Sequence, residues 1–250
     1  SHARQALTWL KERPWISVGW HRHLWESPVL AGEQVPHMGD ENGRFIWGHR
    51  HQERMADVPY EEAYAEFEAE LQLCYECLGR YPDIAGTGNT DIPLEKAYAD
   101  ILDKYNIPHD CFANHPGSAN FKPAAEKYRH LHFVSVDIFH MEGINHGYAM
   151  ENFSLYDPET TYKGLTWTDD EEIFLYGWHP GYCDDHILAE STCNIHRVKE
   201  LQAALSPTFA QWIKENHVEL VNVRDALYGT DEFQGHLKEI GSDLWIGNRE

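Results

Sequence analysis

Basic residues are scarce in this chain: Lys and Arg number 20 against 41 Asp and Glu, a formal net charge of −21 over 250 residues. A field of that sign repels phosphate backbones and anionic headgroups. Nucleic acid and anionic membranes are therefore not expected as partners, and a neutral or cationic ligand suits the surface better. Long apolar runs are missing too; none approaches the roughly 20 residues that cross a bilayer. The opening Ser1-His2-Ala3-Arg4 lacks the apolar core of a secretory signal. Five cysteines make no disulfide framework, and Cys111, Cys183 and Cys193 are scattered. Cys74 and Cys77 form one C-x-x-C with no second pair at zinc-ribbon spacing, so two thiols on a buried helix face is the plainer reading. A reducing, cytoplasmic setting is expected. No G-x-G-x-x-G, Walker or G-x-S-x-G motif occurs, and Gly86-Thr87-Gly88 is too short for a phosphate cradle. Dinucleotide use, phosphoryl transfer and serine-hydrolase chemistry are disfavoured accordingly.

What is present is a hydrophobic fraction of 42%, enough for a sizeable core, with no repeat or linker. The chain reads as one domain over residues 1–250. Trp15–Trp20 reads as a short buried strand. A helix follows on the spacing of Ala63, Phe67, Leu71, Cys74 and Leu78, with Glu61 and Glu62 in its first turn and Gly79 as its stop. A second helix covers Leu94–Tyr105. Strands are expected at Ile107–Phe112, His132–Phe139, Glu172–Trp178 and Val218–Val223. Residues 140–170 read as a loop or lid excursion. Helices are expected at Ile195–Leu205 and Pro207–Asn216, the latter capped by Ser206. Alternating strands and helices with long connections predict an α/β fold with a parallel sheet, open or closed into a barrel.

Two segments place histidine at a strand end, where the loops of a barrel converge on one pocket. In Gly19-Trp20-His21-Arg22-His23-Leu24, extended backbone directs His21 and His23 to one face. Imidazole is a good neutral metal ligand, but two loop histidines remain an alternative. In Trp178-His179-Pro180-Gly181-Tyr182, Pro180 holds His179 extended and Gly181 permits a sharp turn. That presentation suits a general acid, with a plain His-Pro turn as the alternative. Asp184 or Asp185 either orients His179 or is simply solvated. Arg197 and Glu200, three apart on a helix, read as a surface ion pair. Trp20, Trp25, Trp178 and Tyr182 offer ring faces on which sugars stack, and are equally ordinary core material.

On these residues the chain resembles the YdjC-like (ChbG/HpnK) family of carbohydrate deacetylases. Ser17–Leu24 looks like the family's "vGlHlnL" segment, and Ser27-Pro28-Val29-Leu30 with Val35-Pro36 and Asp40–Phe45 looks like its continuation. Trp178–Tyr182 with Asp184 looks like "vHPgy.d", and Arg197 with Glu200-Leu201 looks like "Re.EL". The resemblance implies a distorted (β/α) barrel of the polysaccharide-deacetylase type, a homodimer, and removal of the N-acetyl group from an acetylated sugar with one divalent metal, Mg or Zn. It also implies that His21 is a metal ligand and His179 the general acid. Trp20, His23, Trp178, Pro180 and Tyr182 become candidate substrate-binding residues. The family's N-terminal Asp-Asp strand is expected to be missing from this chain. The family's "DsHqH" ligand segment falls on Gly86–Asp91, where Thr87 or Gly88 stands in place of His and Asp91 is a candidate substitute oxygen ligand. A non-catalytic carbohydrate-binding or regulatory relative is the alternative function.

Overall fold

The computed structural model describes residues 2–22, 24, 26–47, 52–86, 91–109, 131–134, 153–168, 172–191 and 193–248. They form two compact units, Ser1–Arg129 with Asn222–Phe233, and His130–Val221 with Gln234–Glu250.

The first unit opens with helix α1 (His2–Lys11) and strand β1 (Gly19–Trp20). Helix α2 (Tyr60–Leu78) then leads to strand β2 (Ile84–Ala85), and helix α3 is Pro93–Lys104. β1 and β2 pair in parallel, Gly19 opposite Ile84 and Trp20 opposite Ala85. A further parallel bridge joins Ala85 to His109. Parallel neighbours need a crossover, and α2 and α3 supply the two of them. Within the expected strand at Ile107–Phe112, the described residues contribute this single bridge.

α2 forms for the reasons legible in its sequence. Ala63, Phe67, Leu71, Cys74 and Leu78 are all buried on one stripe. Gly79 ends the helix in the left-handed region at φ 81°, its N–H bonding to the Tyr75 carbonyl, a conformation glycine adopts without steric cost. Pro93 starts α3 at a position where its missing N–H is no loss. The core joins these helices through Phe67, Leu71, Leu94, Tyr98 and Ile101 to Met38 and Trp47, which lie between β1 and α2.

The expected strand at Val218–Val223 is replaced. Residues 218–222 are irregular, and Val223–Tyr228 is helix α8 of the molecule. The reason is a capping box: the Asn222 side chain accepts from the Asp225 amide at 2.8 Å, and Asp225 accepts from the Asn222 amide at 3.1 Å. That reciprocal pair outweighs the β-branched character of Val218, Val221 and Val223.

The second unit holds β3 (Leu131–Val134) and β4 (Ile173–Tyr176), again parallel, with Leu131 opposite Ile173 and Val134 opposite Tyr176. Residues 135–139 of the expected strand lie outside the described residues. Of the expected excursion over 140–170, residues 140–152, 169 and 170 lie outside as well. Within its described part, Asp157 caps helix α4 (Pro158–Lys163), and Tyr156 and Tyr162 are buried. Helices α5 (Asp185–Glu190), α6 (His196–Ala204) and α7 (Pro207–Glu215) follow β4. Ser206 caps α7 as expected, accepting from the Phe209 amide at 3.3 Å. The last α-helix, α9, is Glu232–Glu239. Among the described residues, no helix is long and apolar enough to cross a membrane.

Candidate active site

β1 ends at Trp20 and delivers His21 to the surface. The strand end is fixed from several sides. The Trp20 carbonyl accepts from the Tyr98 hydroxyl at 3.1 Å and the Gly86 amide at 3.2 Å. The Trp20 indole N–H donates to Glu70 Oε2 at 3.0 Å, and its ring meets Phe67 and Tyr98 edge-on at 5.8 and 4.9 Å. Trp20, a candidate for sugar stacking, is thus half-buried against the core of its unit. The His21 ring lies over the Gly86 backbone, 3.9 Å from where a Cβ would stand. Arg22 turns inward, pairing with Glu95 and covering the Tyr98 ring at 5.0 Å. His23 and Trp25 lie outside the described residues.

Sequence reasoning missed the carboxylates beneath this segment. Glu66 is fully buried and accepts from the amides of Val29 and Leu30 at 2.5 and 2.9 Å. Burial pushes its carboxyl up, while those two amides pull it down. One turn on, burial and then the charge of Glu66 push Glu70 up to about 8, against the opposing pull of the Trp20 indole and Arg22. A signal for them existed. Glu66 and Glu70 continue the helical spacing of the apolar Ala63 and Cys74, and acids on an apolar stripe are bonded to something.

In the second unit β4 runs into Trp178 and His179. The Trp178 ring packs against Tyr162, Tyr176 and Phe209, with centroids 4.8, 5.7 and 6.1 Å away. It also lines a cleft of about 900 Å³ between β4, α7 and residues 218–221, together with Trp167, Phe174, Tyr176 and Trp212. His179 and Pro180 are exposed, and Tyr182 is 84% exposed. The turn carrying them is docked on α6. The His179 amide donates to Glu200 Oε2, and the Gly181 amide donates to the Arg197 carbonyl at 3.2 Å.

This corrects the reading of Arg197 and Glu200 as an exposed ion pair. Glu200 is 3% exposed, and its other oxygen accepts from the Tyr156 hydroxyl at 2.5 Å. Arg197 donates instead to the Cys193 carbonyl at 2.5 Å. Asp184 caps α5 through the Ile187 amide at 2.9 Å. Beside Glu200, His196 is fully buried against the Tyr156 ring at 5.2 Å, and burial lowers its affinity for a proton.

Asp91 is exposed ahead of α3, in an open hollow of about 580 Å³ shared with Tyr60, Ile92, Pro93 and Lys96. Residues 87–90 lie outside the described residues. Catalytic zinc is held by three protein donors with a position left open. Among the described residues, no group of three or more His, Cys, Asp or Glu side chains is placed to hold an ion. The described part of the chain therefore does not by itself fit the expected metal. Cys74 behaves as an ordinary core thiol, pushed up to about 11 mainly by burial.

Parallel strand pairs among helices, with His21 and His179 just past the ends of β1 and β4, define an α/β protein. The chain belongs to the YdjC-like protein family, whose sequence profile matches residues 1–215. It is 34% identical over 91 residues to carbohydrate deacetylase 2 of Listeria innocua, a match covering 34% of this chain and 37% of that protein. A carbohydrate deacetylase of Clostridium beijerinckii is 32% identical over 74 residues, 30% of each chain. The matched stretch thus spans about a third of the length of these curated relatives. A crystal structure from Enterococcus faecalis V583, provisionally described as a cellobiose-phosphate cleavage protein, shares the fold at TM-score 0.58. That match is 22% identical and covers 89% of this chain and 82% of the other.

Proposed function

We propose that this chain removes the N-acetyl group from an acetylated sugar or oligosaccharide, with His179 as proton donor. The supporting observation is the docked turn that presents the exposed His179 ring at the end of β4, in a chain of this family. The deacetylase names of its relatives support the substrate class. In the reaction a water oxygen bonds to the acetyl carbon, releasing its two protons, and the C–N bond breaks. Acetate leaves, the freed amine nitrogen takes a proton from the His179 ring, and one of the two protons released by the water restores that ring while the other passes to solvent or to the amine. Trp178 in the aromatic cleft and the exposed Tyr182 offer apolar faces for sugar rings, with Pro180 beside them. The parallel pairs β1–β2 and β3–β4, linked by helices, support extending the fold to a distorted (β/α) barrel.

The test is acetate release from N-acetylated chito-oligosaccharides by the wild type and His179→Ala. General acid catalysis is worth about 10²–10⁴-fold, and a loss of that order is expected. Equal release by the two proteins removes His179 from the reaction. A second reading, a carbohydrate-binding relative without catalysis, is favoured by Thr87 or Gly88 standing where the resembled family carries a ligand His. It predicts oligosaccharide binding with no acetate released by either protein.

A further inference from the structure

We propose that Glu200 is a positioning residue for His179, an inference that rests on His179 acting as the proton donor. The turn His179-Pro180-Gly181 is held on α6 by its two amides. Pro180 between them has no N–H to give, so these two bonds exhaust the turn's main-chain donors. One goes to the Arg197 carbonyl, which the helix fixes whatever side chain stands there. The other goes to a side chain, Glu200, whose own placement depends on Tyr156. Tyr156 is in turn immobilised: it is 1% exposed, stacks edge-on against His196, and its carbonyl accepts from Lys199 Nζ at 2.6 Å. The chain of support runs from the buried Tyr156 through a buried carboxylate to the main chain of an exposed histidine.

The chemistry of the carboxylate fits this task. Two donors, an amide and a phenol, arrive at its two oxygens, and a carboxylate accepts at both. Glutamine has one oxygen, which serves the His179 amide, while its NH₂ serves the Tyr156 hydroxyl as acceptor. Alanine serves neither and leaves the amide and the phenol without this partner. Displacing a catalytic group by 1 Å costs about 100-fold in rate, so the turn's registration matters although Glu200 touches no substrate.

The experiment has two arms. In the first, acetate release is measured for the wild type, Glu200→Gln, Glu200→Ala and Tyr156→Phe. We expect Glu200→Ala to lower kcat about 100-fold with KM within about threefold, and Glu200→Gln to restore kcat to within several-fold of wild type. Tyr156→Phe falls between them. If His179→Ala abolishes release while Glu200→Ala leaves kcat unchanged, the positioning role is refuted and the function stands. In the second arm, which needs no activity, hydrogen exchange of the His179 amide is followed by NMR in folded protein. Protection in the wild type and Glu200→Gln, with faster exchange in Tyr156→Phe, supports the inference. An unprotected His179 amide in the wild type overturns it, whether or not acetate is released.

Discussion

Glu70→Gln removes a titrating proton from a half-buried position on α2 while keeping the shape of the side chain and an oxygen for the Trp20 indole. The carboxyl is raised from an ordinary 4.5 to about 8, chiefly by burial and then by Glu66. At about 1.4 kcal/mol per unit, that rise corresponds to roughly 5 kcal/mol as an upper figure. The sign follows from proton counting. Between pH 4.5 and 8 the folded chain keeps this proton and the unfolded chain releases it, so stability falls as pH rises. The contribution is fully present below about 4.5 and is lost as pH passes through about 8. Acidic groups not coupled to Glu70 remain in both proteins, so their contributions cancel, and the relief of the Glu66–Glu70 repulsion is part of the difference read. Urea unfolding followed by tryptophan fluorescence at pH 5, 7 and 8.5 reads the difference. The two proteins should be within about 1 kcal/mol of each other at pH 5, and the variant more stable by roughly 2–5 kcal/mol at pH 8.5. In a thermal scan at the upper pH this is a gain of about 5–15 °C. Parallel pH profiles for the two proteins would show that Glu70 does not hold a proton in the folded state, and the account of this pair would be wrong.

Phe67→Ala should cost about 3–5 kcal/mol, because the ring is fully buried between Trp20 and Tyr98 and its loss leaves a cavity. Urea unfolding reads the loss, and a value below about 1 kcal/mol would show that the site collapses around the gap. Asn222→Ala breaks the capping box of α8 and should cost about 1–2 kcal/mol, whereas Asn222→Asp keeps an acceptor oxygen and should recover most of it. Equal stability of Asn222→Ala and the wild type would mean that α8 is held by packing alone.

Much of the scaffold was legible because helices advertise themselves over many residues. α2 repeats its apolar spacing across five turns and ends on a glycine, and α7 carries a Ser-Pro start. Strands were legible only as centres. Trp15–Trp20 yields two strand residues, and Glu172–Trp178 yields four, because a run of apolar residues says nothing about where a neighbour stops pairing. Val218–Val223 failed for a local reason: Asn222 and Asp225 satisfy each other's amides, a signal three residues apart that apolar content masked. The histidine motifs were visible because each follows an apolar run and carries its own turn chemistry. Their supports were harder to read: Glu66 and Glu70 fall on the apolar stripe of α2, but what donates to them is known only once the chain is folded against them, and Glu200 looks like a solvent-facing helix acid.

Glu66 and Glu200 answer one physical problem in the same way, and Glu70 does for a side-chain donor what they do for main-chain ones. A segment outside the sheet has main-chain amides that no strand serves, and a buried amide left without a partner costs about 1–3 kcal/mol. Water could serve them, but then the segment would be free to move. A carboxylate projecting from a packed helix serves them and fixes the segment at once. Glu66 takes the amides of Val29 and Leu30, Glu200 takes that of His179, and Glu70 takes the Trp20 indole beside His21. In each case the acid sits on a helix whose position the core determines, so the rigidity of the core passes to a loop that would otherwise lack it. This explains how a chain so rich in acidic residues can place some of them where none would be expected. It also separates their substitutions into two kinds. Replacement by glutamine, which keeps an acceptor, should spare the geometry, whereas replacement by alanine frees the segment and strands its donors.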